Sequence, residues 1–175
     1  MSTPTKPHGI WRKMLIALVA LIVASVAVAA WYKAHYSMAE AQALDVAGAP
    51  DAKKVLIATQ SSAYKDAITA RLVEHLQGRA ATIKVIDISG LAQVQCENWN
   101  AIVLMHTWEI GKPPAAVPAF IDRLCDRTKL VVLTTSGQGN LKMPGIDAVT
   151  SASAMLDVNA DAQELARRVD AVLAR

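Results

Sequence analysis

Hydrophobic positions are distributed along this chain in two different ways. From Met14 to Tyr32 the sequence MLIALVALIVASVAVAAWY runs 19 residues without a charge. As an α-helix it would be about 28 Å long, close to the hydrocarbon thickness of a bilayer. Trp11 precedes the run, and Trp31, Tyr32 and Tyr36 close it; amphipathic rings of this kind favour the headgroup region. Residues 14–32 are therefore expected to form one transmembrane helix. Ala27-Val28-Ala29 has the small-x-small form of a signal-peptidase site, but the run exceeds the usual h-region of about 7–15 residues, so an uncleaved anchor is the expectation.

After Lys53 the pattern changes to short apolar runs separated by amphipathic stretches. Val55–Thr59, Thr82–Ile88, Ala101–Thr107, Leu130–Thr135 and Ala148–Ser151 are rich in β-branched residues. Near-continuous runs such as VLIAT, AIVLM and LVVLTT suit strands buried on both faces of a parallel sheet. Ala67, Ile68, Leu72, Val73 and Leu76 keep a helical spacing that ends near Gly78, and Val117, Phe120, Ile121 and Leu124 do the same behind Pro113, Pro114 and Pro118. A terminal helix presents Leu165, Val169, Val172 and Leu173 on one face, with Asn159 or Asp161 as its cap. The twelve residues from Ser136 to Asp147 hold three glycines and Pro144, leaving room for a loop or a single helical turn. The order predicts an α/β domain over 53–175: three layers, doubly wound, on a five-stranded parallel sheet, preceded by one transmembrane helix. Ligands of such sheets sit beyond the carboxyl ends of the strands, so the loops after the first, third and fourth strands are the place to look for function.

Composition divides along the same boundary. A length of 175 residues accommodates one domain and an appendage. A hydrophobic share of 53% with only 19% charged residues excludes a disordered chain and a nucleic-acid-binding tail. The net charge of +3 comes from 18 Lys and Arg against 15 Asp and Glu; Lys6, Arg12 and Lys13 precede the apolar run, and without those three the balance is 15 against 15. No nucleic-acid partner is implied. The basic excess speaks instead to topology, because only Lys33 follows the run before Glu40 and Asp45. Residues 1–13 are expected in the cytoplasm and the domain outside the cytoplasmic membrane, in the periplasm of a Gram-negative-type cell. Residues 33–52, Ala-rich with Gly48 and Pro50, read as a linker that lets the domain stand off the bilayer.

The first loop, Thr59-Gln60-Ser61-Ser62-Ala63-Tyr64-Lys65, leads into a helix. Its hydroxyls and backbone N–H groups could bind a phosphate or simply cap that helix. The loop after the third strand runs His106-Thr107-Trp108-Glu109-Ile110-Gly111-Lys112-Pro113-Pro114 and continues into a helix with Phe120-Ile121-Asp122-Arg123-Leu124. This stretch resembles the flavodoxin-like family, in which a small-x-aromatic-x-Gly-Lys-Pro-Pro segment lines a flavin mononucleotide (FMN) ring. The resemblance covers about Lys53–Arg175. It implies that Trp108 stacks on the ring, flanked by Thr107, Glu109 and Gly111; a Trp covering the core is the other reading of that position. Laid on the family's phosphate loop, Thr59 and Ser61 match hydroxyl positions, Ser62 stands where Gly is usual, and Tyr64 replaces the last Ser or Thr. The Gly at such a turn supplies backbone freedom, so Ser62 weighs against a phosphate site. Ser136, Gly137, Gln138 and Gly139 are similar in kind to the family's second flavin-facing loop.

Other chemistries are unsupported. His8, His35, His75 and His106 show no metal-type spacing with each other or with the cysteines. No Gly-x-Ser-x-Gly elbow is present, and the Gly-x-Gly after the fourth strand lacks the third glycine of a dinucleotide fingerprint. Ala58-Thr59-Gln60 and Met105-His106-Thr107 lack the acids of a phosphorelay receiver. Cys96 and Cys125, 29 apart, cannot form a redox Cys-x-x-Cys. In the flavodoxin-like arrangement they share one face and one end of the sheet, where they could form a structural disulfide or remain two thiols. The expectation is thus a membrane-anchored flavodoxin-like protein that binds FMN and transfers electrons or reduces a small acceptor, with a redox protein or a quinone as partner. The alternative is a flavin-free binding or assembly module of the same fold.

Overall fold

A computed structural model describes residues 8–36, 38–79 and 81–175; of the expected cytoplasmic tail, residues 1–7 lie outside the described residues. The chain divides into two units, one ending at Ser37 and one from Met38 to Arg175.

The first unit is a single helix, α1 (His8–Tyr36), and its Gly9–Trp31 stretch is long and apolar enough to cross a membrane. Ser25 donates its hydroxyl to the carbonyl of Leu21 at 2.8 Å, which keeps that polar group satisfied within the apolar stretch.

The second unit is built on β1 (Ala39–Glu40), β2 (Leu44–Val46), β3 (Lys54–Ser61), β4 (Thr82–Asp87), β5 (Ala101–Thr107), β6 (Leu130–Thr135) and β7 (Ala148–Ser151). Helices α2 (Ala63–Gln77), α3 (Ala116–Asp122) and α4 (Val158–Leu173) complete it. Five strands are parallel in the order β4-β3-β5-β6-β7. This is the doubly wound arrangement that the alternation of apolar runs and amphipathic stretches predicts. The expected strands at 101–107, 130–135 and 148–151 coincide with β5, β6 and β7. The apolar runs become central strands because both faces are covered. Val55, Ile57, Val103 and Met105 face α2 and α4, whereas Leu56, Ala58, Ile102 and Leu104 face α3 and the irregular second crossover. Each large side chain buried in these layers contributes about 1.5–3 kcal/mol.

Two details differ from the sequence pattern. The segment 33–52, read as a free linker, supplies two strands to the sheet. β2 pairs antiparallel with β4, Leu44 opposite Val85 and Val46 opposite Ile83, and β1 pairs antiparallel with the end of β3, Ala39 opposite Ser61. Without β2, β4 would be an open edge, and Val46 packs on the α2–α4 layer. Helix α4 begins at Val158 with Asp157 in the cap position, ahead of the expected Asn159 or Asp161; Asp161 is engaged by Tyr64 instead. The fourth crossover, as its three glycines and Pro144 predict, is a loop without a helix, and Met143 and Ile146 pack on the α3-side layer.

The second crossover consists of two short 3₁₀ segments, Ile88–Gln93 and Cys96–Asn98. It is tied to the chain after α3 at two points. Cys96 and Cys125 form a disulfide with Cα atoms 6.2 Å apart. The Arg123 guanidinium donates to the carbonyls of Val94, at 3.0 Å, and of Leu91.

Candidate site at the carboxyl ends of the strands

Parallel strands bring the loops after β3, β5 and β6 to one end of the sheet, and the pleat sorts their last residues onto two faces. Thr59 and Gln60 at the end of β3 are buried, as are His106 of β5, Thr134 and Thr135 of β6, Ser136 beyond it and Ser151 of β7. This polar tier closes the apolar core.

Lys65, in the first turn of α2, folds into that tier. Its side chain is 0% exposed, and its Nζ donates to Thr107 Oγ1 at 2.7 Å. Thr107 Oγ1 lies 2.8 Å from Thr135 Oγ1, so one cation and two hydroxyls bridge α2, β5 and β6. Burial pulls the Lys65 pKa down to about 8, partly offset by the carboxylates of Asp66 and Glu109. A second network joins β3 to the loop after β5. Gln60 Oε1 accepts from the Thr107 backbone N–H at 2.8 Å, and Gln60 Nε2 donates to Glu109 at 3.0 Å.

The hydroxyls of the first loop have internal partners. Thr59 donates to the Gln60 carbonyl at 2.8 Å and Ser61 donates to Asp66 Oδ2 at 2.9 Å. Ser62 caps α2 by accepting from the Lys65 N–H at 3.3 Å. Ala63 is exposed. Tyr64 is buried at 2% exposure and donates to Asp161; burial, and then this carboxylate, push its pKa upward.

Trp108 is half-buried and fixed at two atoms. Its Nε1 donates to Thr134 Oγ1 at 2.7 Å and its backbone N–H to the Thr135 carbonyl at 2.8 Å. The indole lines a cleft of about 290 Å³ with Pro113, Pro118, Ile121, Met143 and Ile146 on the α3 side. Gly111 lies in an exposed tight turn with φ +70. In the third loop Gly137 and Gln138 are exposed. Gly139, with φ +65, is pressed against the backbone after β7, and a Cβ there would lie 2.6 Å from the Ala152 nitrogen. Ser136 Oγ and both ring nitrogens of His106 are buried without a hydrogen-bond partner among the described residues. Burial pulls the His106 pKa down to about 4, so this imidazole is neutral at pH 7.

The expected site residues thus cluster at one end of the sheet, but they split into a bonded tier and an exposed rim. Lys65, Asp66, His106, Thr134 and Thr135 belong to the same cluster without having been assigned a role. A lysine early in an amphipathic helix reads as solvent-facing, and only the Thr-Thr ending of LVVLTT hinted at a polar tier.

These residues do not fit an FMN phosphate. The anion favoured at the start of α2 is already present as the Asp66 carboxylate. The loop's hydroxyls are bonded within the chain, and the Lys65 ammonium in the first turn of α2 is buried against Thr107.

No protein-family model matches the chain, and no curated protein sequence matches it. Its similarities are structural. A flavodiiron core from a Synechocystis species is 9% identical with a TM-score of 0.51, matched over 71% of this chain and 36% of that one. A flavodoxin from Bacillus cereus is 15% identical with a TM-score of 0.47, over 67% and 98%. The rubredoxin:oxygen oxidoreductase of Desulfovibrio gigas is 14% identical with a TM-score of 0.47, over 70% and 37%. This chain therefore spans about a third of the length of the flavodiiron core it matches. The domain from Met38 has the flavodoxin-like fold; at these identities the likeness defines architecture, not activity.

Proposed function

We propose that this is a single-pass membrane protein whose flavodoxin-like domain works outside the cytoplasmic membrane as a flavin-free binding and assembly module. The observation that carries this reading is the internal closure of the first loop: Lys65 bonded to Thr107, and Ser61 bonded to Asp66. The Cys96–Cys125 disulfide supports the extracytoplasmic side, because such bonds persist in oxidising compartments. The charge asymmetry around the apolar helix supports the same side.

A second reading keeps FMN as an electron carrier, with a redox protein or a quinone as partner. It is favoured by the Ser136 hydroxyl, without a partner among the described residues, and by the half-buried Trp108 at the strand ends. In that reading FMN would supply the redox chemistry. Adding micromolar FMN to the purified full chain in detergent separates the two. Unquenched flavin fluorescence is expected; strong quenching would replace the module reading with the flavin reading.

A further inference from the structure

The end of the domain that carries the candidate site also carries large apolar side chains that the core does not use. Ile110 is 83% exposed, Leu156 84% and Met155 58%. Ile110 sits in the middle of a two-residue turn in which Glu109 and Lys112 exchange backbone hydrogen bonds of 2.8 and 3.0 Å. Its φ is +50, a conformation rare for a β-branched residue and costing about 1–3 kcal/mol. The other non-glycine residue with positive φ among the described residues is Ser153, at +62, two positions before Met155. One strained position follows β5 and the other follows β7, so both lie beyond the carboxyl ends of the sheet. Strain of this kind persists where the surrounding structure enforces it, and here both instances accompany outward-facing hydrophobic residues.

The chain also joins the domain at this end. Ala39 pairs with Ser61, the last residue of β3. The apolar stretch of α1 stops at Trp31, and the eight residues from there to Ala39 reach at most about 28 Å even when fully extended. Residues 39–40 and 44–46 are held in the sheet, so they add no reach. For a bilayer that holds the apolar stretch, the covalent chain thus limits how far Ala39, at the loop end of the domain, can stand from it.

We propose that the loop end of the domain rests on the bilayer that holds the anchor, with Ile110, Met155 and Leu156 entering the interfacial layer. The occupant of this apolar surface is lipid. With Lys65 buried, the acidic Glu40, Asp66, Asp87, Glu109 and Asp157 outnumber Lys112 and Lys142 at this end, so the contact is made by apolar burial rather than by attraction to anionic headgroups. This inference goes beyond the module reading and holds whether or not flavin binds.

Because Cys96 and Cys125 are paired, one added cysteine can be labelled selectively in the full chain. Ile110→Cys, Leu156→Cys and, on the loop before β6 at the opposite end, Thr128→Cys would each carry an environment-sensitive fluorophore in phosphatidylcholine vesicles. The vesicles contain a lipid with a nitroxide quencher near the headgroup. Labels at 110 and 156 are expected to lose most of their emission and shift to the blue, and the label at 128 to do neither. Equal behaviour at all three positions would overturn the proposal. So would quenching at 110 and 156 that disappears in high salt, which would make the contact electrostatic.

Discussion

At the scale of single residues, Lys65 distinguishes this site from an open phosphate loop. Its pKa is about 8 in the folded chain against 10.5 for an unperturbed lysine. Between those values the unfolded chain binds more protons than the folded one, so stability rises as pH rises through that window. The full penalty stands below pH 8 and amounts to at most about 3 kcal/mol. Lys65→Met preserves the side chain's length and removes the charge. It is expected to raise stability at pH 7 by about 1–3 kcal/mol and to flatten the rise between pH 8 and 10 in urea unfolding. A parent protein equally stable at pH 8 and pH 10 would contradict this account. Tyr64 acts in the opposite direction at higher pH, because its pKa is raised on folding, so the comparison belongs below pH 10. None of this could be read from Lys65 as a letter in a sequence. The side chain is buried because Thr107 and Thr135 come to lie beside α2, a meeting of three elements distant in the chain.

Among elements, the β4-to-β5 crossover carries no α-helix, only two 3₁₀ segments, and it is held by side chains instead. Its two 3₁₀ segments are fixed by Arg123 and by the disulfide to Cys125. Closing a loop between residues 29 apart restricts the unfolded chain by about 3–4 kcal/mol in the chain-entropy model. Replacing both cysteines by serine is expected to lower stability by about that amount, with the loss reproduced by reductant in the parent and absent in the variant. Identical unfolding curves with and without reductant would show that the bond contributes nothing. The strands themselves were legible in advance, since VLIAT, AIVLM and LVVLTT are apolar on both faces. The two short antiparallel strands were not. Ala39–Glu40 and Leu44–Val46 are too short and too polar to signal a strand, and pair only because β3 and β4 offer free backbone groups.

For the whole molecule, topology is the property to test. With the N-terminus in the cytoplasm, protease added outside spheroplasts should digest the domain, and a phosphatase fused after Arg175 should be active. Protection of the domain from that protease would place it on the other side and would remove the oxidising compartment invoked for the disulfide.

The sequence by itself determined the apolar helix, because a charge-free stretch of that length is a local property, and the parallel sheet, because burial on both faces writes itself into consecutive residues. It also placed the three loops at one end, since crossover connections force that geometry. Tertiary structure alone decided what those loops can do. Whether a hydroxyl is open to a ligand or already bonded depends on partners such as Asp66 and Thr107 that only folding brings within reach. It likewise decided that the stretch after the apolar helix contributes two strands to the sheet, because hydrogen bonding along an edge depends on the neighbouring strand more than on the segment's own residues.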